Sequence, residues 1–371
     1  MAGLGDTIKN LAKLRGSISH LTTPGHDLLT ETMSFGSNPG AIRMLSFVPE
    51  DLTARAPLVV VLHGCTQTAA AYDHGAGWSE LASRHGLAVL YPEQSRANNI
   101  NLCFNWFDKA DVSRTGGETE SIHQMITTML QKHALDPARV YVTGLSAGGA
   151  MTAAMLACYP ETFAGGAVIA GLPFGAAHSI QSAFGAMHGG HSRPAQEWGD
   201  MVRAASSHRG PWPAVQVWQG TADITVRSSN AAELVKQWAN VHGIDRHPAT
   251  VSDLRDDARY EAWTGGDGRT VLESYLVPGM AHGTPLDTGA LDADHAVGHT
   301  GPHMLNADIA STWYIAQGWG LLTKAARAGT IDQQGRSHER EQDRAKGRAA
   351  EPASGPGAVI EKALRNAGLL R

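Results

Sequence analysis

Three residues of this chain have the types and the order that acyl-transfer chemistry needs: Ser146, Asp223 and His282. A serine hydroxyl at neutral pH is a weak nucleophile, so it requires a base to take its proton and an acid to orient that base. Ser146 stands in "YVTGLSAGGAM" (141–151), which contains the pattern G-x-S-x-G. Val140 and Val142 alternate around Tyr141 like the end of a buried strand, and the residues from Ala147 onward follow helical spacing. Ser146 is therefore predicted on a sharp strand-to-helix turn, the nucleophile elbow. Gly144 and Gly148 let the two elements approach without a Cβ clash. An ordinary glycine-rich turn is the competing reading, and the flanking strand and helix weigh against it.

Asp223 follows the predicted strand "VQVWQG", and His282 follows "SYLVPGMA", the last predicted strand. The order Ser, acid, His, each on a loop after a strand, is that of α/β-hydrolases. Among 18 histidines, His282 is the one that follows a late strand so directly. A tetrahedral intermediate also needs two N–H donors aimed at its oxyanion. Ala147, next to the nucleophile, is one candidate, and Cys65 in "LHGC" (62–65) is the other. A catalytically dead binding protein on the same fold would not need all three triad types. A thiol hydrolase does not fit either, since Cys65 is expected to act through its backbone.

The elements that must hold these residues alternate in type. "APLVVVLHGCTQ" gives a buried strand over 58–62, and "WSELASRHGLAVLYPEQ" a helix and a strand over 87–91. "ESIHQMITTMLQKHALDPARVYVTG" gives a helix, a turn at Asp136-Pro137 and the elbow strand. "FAGGAVIAGLP", "PAVQVWQGTAD" and "VLESYLVPGMAHG" supply three more strands. Such alternation implies an α/β fold with a mostly parallel sheet covered on both faces. "MSFGSNPGAIRMLSFVPE" (33–50) is expected to add antiparallel edge strands. The less regular stretch 175–213 reads as a cap-like insertion. Domain boundaries are expected at about 45 and 325, with an N-terminal helix before and a charged tail after.

With 371 residues, 42% hydrophobic and 18% charged, the chain has the composition of a globular protein with a large core. A net charge of −5 gives no reason to expect nucleic acid as a partner. The N-terminal segment lacks the unbroken apolar core of a secretory signal, and Leu4, Ile8, Leu11 and Leu14 follow helical spacing instead. A basic amphipathic helix of this kind packs on its own domain or touches a membrane or hydrophobic granule surface. No stretch apart from the helix after the elbow is long and uncharged, so no integral membrane span is expected. Residues 336–358 are charged and then rich in Pro, Gly and Ser, the composition of a solvated linker.

Cys65, Cys103 and Cys158 are too few for a disulfide framework, and reduced thiols in a cytosolic protein are the first expectation. A Cys65–Cys103 bridge is the alternative, and Cys158 reads as a core residue. "DADHAVGHTGPHM" spaces His295, His299 and His303 evenly with Asp292 and Asp294 nearby, which on a helix would offer a zinc site. Gly298, Gly301 and Pro302 argue against a continuous helix, so no metal and no cofactor are expected. "CFNWF" (103–107) is either an acyl-binding wall or core packing. Trp106 and Trp218 are the candidate substrate walls.

Taken in order, "LHGCTQ", "YPEQ", "CFNWF", "DPARVYVTGLSAGGAMTAAML", "YPETFAGGAVIAGLPFG" and "PGMAHG" resemble the motifs of the poly(3-hydroxybutyrate) depolymerase family of esterases. The resemblance covers about 46–321, and "GPHMLNADIASTWYIAQGWGL" is similar to the family's closing segment. It implies an α/β-hydrolase fold and serine-dependent ester hydrolysis, with Ser146, Asp223 and His282 as the triad and Cys65 at the oxyanion. The family includes feruloyl and acetylxylan esterases. This chain departs from the secreted polymer-degrading members in showing no secretory signal and no polymer-binding domain after the catalytic one. The expected substrates are therefore soluble short-acyl esters, 3-hydroxybutyrate oligomers or amorphous polyester, and the expected location is the cytoplasm.

Overall fold

The run "LVVVL" at 58–62 is apolar in both directions a strand can face, so it requires cover on both sides. The computed structural model describes residues 28–190, 192–253, 258–290 and 295–322. In it the strands are β1 (Thr30–Thr32), β2 (Arg43–Phe47), β3 (Leu58–Leu62), β4 (Ala88–Glu93), β5 (Val140–Leu145), β6 (Gly165–Ile169), β7 (Ala214–Gly220), β8 (Thr250–Asp253), β9 (Arg259–Thr264) and β10 (Thr270–Val277). They form one sheet in the order β1-β2-β4-β3-β5-β6-β7-β10-β9-β8. The strands from β4 to β10 in that order are parallel, while β1, β2, β8 and β9 pair antiparallel at the two edges.

Leu58, Val60 and Leu62 pack in one core with α3 (Gly117–Lys132), α4 (Ala147–Cys158) and α7 (Ser229–Val241). Val59 and Val61 face the other, with α1 (Ala69–Ala76), α2 (Trp78–His85) and α8 (Ser311–Gly318). Each fully buried valine or leucine contributes about 1.5–3 kcal/mol, so the central strands anchor both layers. Every residue of α4, "AGGAMTAAMLAC", is buried. Its small, uncharged side chains let it lie directly against the sheet behind the elbow.

The edge-strand expectation holds for β2, whereas β1 lies just ahead of the stretch expected to supply it. Between β6 and β7 the irregular stretch contains α5 (Ile180–Met187) and α6 (Ala195–Ala204). There α6 is tied to α7 by Trp198, whose Nε1–H donates to Glu233 at 2.7 Å, and by Gln237, which donates to Trp198 O at 3.2 Å. A short parallel pair, β11 (Thr284–Leu286) and β12 (Met304–Asn306), stands apart from the main sheet. The expected N-terminal helix and the charged tail lie outside the described residues. No described helix is long and apolar enough to cross a membrane.

Candidate active site

Parallel strands deliver their following loops to one end of a sheet, where open α/β proteins bind ligands. Ser146 follows β5 there, with φ 59° and ψ −116°, a strained conformation for a residue with a side chain. The neighbouring glycines explain how the turn closes. A Cβ on Gly144 would sit 2.5 Å from the Gly148 backbone, and one on Gly148 would sit 2.3 Å from Leu62 O. Only glycine fits both places, so the elbow presses against the end of β3. Ser146 N–H donates to Ile169 O at 2.9 Å, fixing the turn to β6 as well.

Asp223 and His282 meet directly. β7 and β10 are neighbours, with Gly220 opposite Val277, and a Cβ on Gly220 would lie 2.2 Å from Met280 O. That close approach brings the two loops together, and Ala222 N–H donates to Met280 O at 3.0 Å. His282 Nδ1 lies 2.7 Å from Asp223 Oδ2. A carboxylate can only accept, so Nδ1 carries the proton and Nε2 is left as the basic nitrogen. Asp223 is further held by Thr225 N–H and Val226 N–H on Oδ1, at 2.8 and 2.9 Å, and by Gln219 Nε2 on Oδ2 at 3.0 Å.

The loop after β3 forms the other side of the site. Gly64 N–H donates to Gln67 Oε1 at 2.8 Å and Gln67 N–H returns to Gly64 O at 3.3 Å, a tight closed turn. Among the described residues, no protein acceptor takes the N–H of Cys65 or of Ala147. His63 is fully enclosed; its Nε2 accepts from Gln94 N–H at 3.1 Å, so Nδ1–H donates to Gly64 O at 2.8 Å. Burial pushes its pKa below the usual histidine range, which keeps this neutral form.

His282 is linked to that loop by the turn before β12. His303 Nδ1–H donates to His282 O at 3.1 Å, and Gln67 Nε2 donates to Pro302 O at 3.4 Å. The contacts thus run from Asp223 through His282 and residues 302–303 to the Gly64–Gln67 turn, and from there to the elbow. No hydrogen bond joins Ser146 Oγ to His282 among the described residues. Catalytic hydrogen bonds commonly tighten only when substrate binds.

Several expectations are corrected. Trp218 is not a substrate wall: it is fully buried, its ring stacked on Tyr275 at 3.8 Å in the core opposite α3, α4 and α7. Both faces of β7 are buried, so its side chains cannot be assigned to a cleft by position alone. Cys65 and Cys103 are not free thiols; they form a disulfide, and Cys158 is the buried free cysteine, its thiol pushed up to about 12 by burial. Most of "CFNWF" is core: Phe104 is buried, and Trp106, edge-on to Phe107, keeps 9% of its surface exposed. His295, His299 and His303 face three different partners, Trp313, His74 and His282. Asp292 and Asp294 lie outside the described residues, and no cluster with metal-ligand geometry occurs among the described ones.

Four supporting residues had no sequence signal of their own: Gln67, Gln94, Gln219 and His63. Three of them stand in quoted motifs, His63 and Gln67 in "LHGCTQ" and Gln94 in "YPEQ".

Known proteins are similar to this chain. The family described as Esterase PHB depolymerase matches residues 43–259. Poly(3-hydroxyalkanoate) depolymerase C of Paucimonas lemoignei is 45% identical over 295 residues, 79% of this chain and 70% of that protein. An acetylxylan esterase of Coprinopsis cinerea is 37% identical over 69% of each chain. Feruloyl esterase B of Thermothelomyces thermophilus is 33% identical over 68% of this chain and 88% of its own. Among solved structures, an acetyl xylan esterase from Aspergillus awamori superposes with a TM-score of 0.63 at 28% identity, covering 68% of this chain and 93% of that one. With the sheet order, the elbow and the Asp223–His282 pair, these likenesses make the chain a member of the PHB depolymerase esterase family, a carboxylic ester hydrolase with the α/β-hydrolase fold.

Proposed function

We propose that this enzyme cleaves esters of short hydroxyalkanoic acids, 3-hydroxybutyrate oligomers above all, through an acyl-enzyme on Ser146. In this reading His282 Nε2 takes the Ser146 proton as Oγ attacks the ester carbonyl and then returns it to the leaving alcohol. Asp223 holds the imidazole and stabilises its charged form. The N–H groups of Cys65 and Ala147 receive the carbonyl oxygen as it becomes an oxyanion. Water, activated by the same histidine, then releases the acid. The observation that carries the reading is the 2.7 Å Asp223–His282 bond on the loops that follow β7 and β10, at the sheet end that bears the elbow.

The substrate class rests on the 45% identity to the polyhydroxyalkanoate depolymerase. A second reading, an acetylxylan esterase, is favoured by the superposition at a TM-score of 0.63. Parallel rates on hydroxybutyrate trimer, 4-nitrophenyl butyrate, acetylated xylan and methyl ferulate separate the two. The trimer should give the highest kcat/KM, and a large preference for acetylated xylan would reverse the assignment. Trp106, with its small exposed edge, remains a candidate for the acyl wall.

The Cys65–Cys103 bond supports a location outside the reducing cytoplasm, against the expectation drawn from the N-terminal composition. Alkylation of the protein in freshly lysed cells reads this directly. Two protected cysteines support it, and three labelled cysteines return the protein to the cytoplasm.

A further inference from the structure

Glu118 opens α3 and is fully buried, yet no step of ester hydrolysis uses it. Three N–H donors converge on its carboxyl group. Oε1 accepts from Gln94 Nε2 and, at 3.1 Å, from Asn98 Nδ2, while Oε2 accepts from Asn105 N–H at 2.8 Å. All three belong to the strap 94–105 that follows β4. Burial, with the like-signed Asp111 adding to it, pushes the carboxyl up to about 8, and no ion pair with Glu118 occurs among the described residues. Burying such a group is costly, and an apolar side chain would leave Asn105 N–H and one Gln94 Nε2 hydrogen unpaired, whereas Asn98 Nδ2 also reaches Gly40 O and Gln94 Oε1 at 3.0 and 2.9 Å.

The strap in turn holds the loop that carries the Cys65 N–H. Gln94 Nε2 also donates to Cys103 O at 3.1 Å, and Cys103 is bonded to Cys65. Asn101 O accepts from Thr66 N–H at 2.7 Å, and Gln94 N–H reaches His63 at 3.1 Å. Thr66, directly after Cys65, has φ 65°, a conformation its neighbours must impose. Each of these restraints originates in a segment wrapped around one carboxyl group.

We propose that Glu118 is a positioning residue, which aims the Cys65 N–H at the oxyanion by fixing the strap 94–105 beneath the Gly64–Gln67 turn. The proposal rests on the esterase reading above and adds a residue that touches no reacting atom. A donor displaced from its aim weakens transition-state binding and leaves ground-state ester binding nearly unchanged.

The test uses the full chain, with Glu118→Gln and the milder Asn98→Ala. Hydrolysis of 4-nitrophenyl butyrate gives kcat and KM. Inhibition by a trifluoromethyl ketone, whose adduct with serine is a tetrahedral oxyanion, gives the affinity for the transition-state shape. Losing an oxyanion donor outright costs on the order of 10²–10³ in kcat, so misaiming one should cost about 10–100-fold in Glu118→Gln and less in Asn98→Ala. KM should stay within about 3-fold, and ketone affinity should fall in proportion to kcat/KM. If Glu118→Gln does not fold, Asn98→Ala alone carries the decision. Unchanged kcat, or KM and ketone inhibition constant rising together, would overturn the role of Glu118 while wild-type hydrolysis stands. A wild type without serine-dependent hydrolysis would overturn the esterase reading and this role with it.

Discussion

Both carboxylate oxygens of Asp223 are engaged, one by two backbone N–H groups and the other by His282 and Gln219. Gln219 therefore shares Oδ2 with the imidazole and sets the angle from which His282 is held. Gln219→Leu should lower kcat by about 10–100-fold with KM little changed, since the loss is one charge-assisted hydrogen bond of about 1.5–3 kcal/mol. Asp223→Asn should lower kcat by about 10⁴ through the wrong imidazole tautomer. Steady-state kinetics of the two variants check the ranking; equal losses would contradict it. His242, at the end of α7, tests the electrostatics of burial. Its Nε2 is buried and has no hydrogen-bond partner among the described residues, and burial lowers its pKa to about 4. The unfolded chain takes up this proton near the ordinary histidine value of about 6.5, the folded one only near 4, so stability is lost as pH falls through that window. His242→Leu should flatten the fall of the urea midpoint between pH 6.5 and 4, and an unchanged slope would assign it to other groups. The candidates for the proposed triad could be picked out because each follows an apolar strand, a context that survives in one dimension. Gln67, Gln94, Gln219 and Glu118 were not, because a buried polar residue answers to backbone groups that only the fold assembles.

At the scale of elements, the elbow depends on two backbones touching. Gly148→Ala would place a methyl group 2.3 Å from Leu62 O, so β3 or α4 must shift. The expected cost is on the order of 3 kcal/mol, read as a lower urea midpoint, with activity falling as well. A midpoint equal to wild type would mean that the contact relaxes freely. The Cys65–Cys103 bond joins the two segments that flank the site, 38 residues apart in the chain. A bridge of this span typically contributes about 2–4 kcal/mol. Reduction should lower kcat on a soluble ester more than it raises KM, because the Cys65 N–H loses one of its holds; an unchanged kcat would make the bond purely structural. The central strands and the elbow helix were readable from unbroken apolar runs. Harder to see were β8, exposed at residues 250–252, β9, which is mostly half-buried, and α1, a single short Ala-rich segment. Trp218 was misread for the same reason that β7 was found: a strand buried on both faces announces itself without saying which way each side chain points.

At the scale of the molecule, the loops after β3, β5, β7 and β10 all issue from one end of the sheet, and with them Cys65, Ser146, Asp223 and His282. Every one of these residues lies before Leu322, within the compact unit that holds the described residues. A chain ended after about residue 336 should therefore keep its rate on soluble esters, and loss of that rate would tie the tail to the catalytic unit. Selectivity cannot come from the proposed triad, which would meet the same carbonyl in every ester, so it must lie in the surrounding walls. The account stands or falls on Ser146. Release of 3-hydroxybutyrate from its trimer, followed for wild type and Ser146→Ala at matched concentration, tests it most directly. The account predicts ready hydrolysis by the wild type and a loss of about 10⁴–10⁶ in the variant with its thermal unfolding unchanged. Comparable rates from both proteins would contradict it.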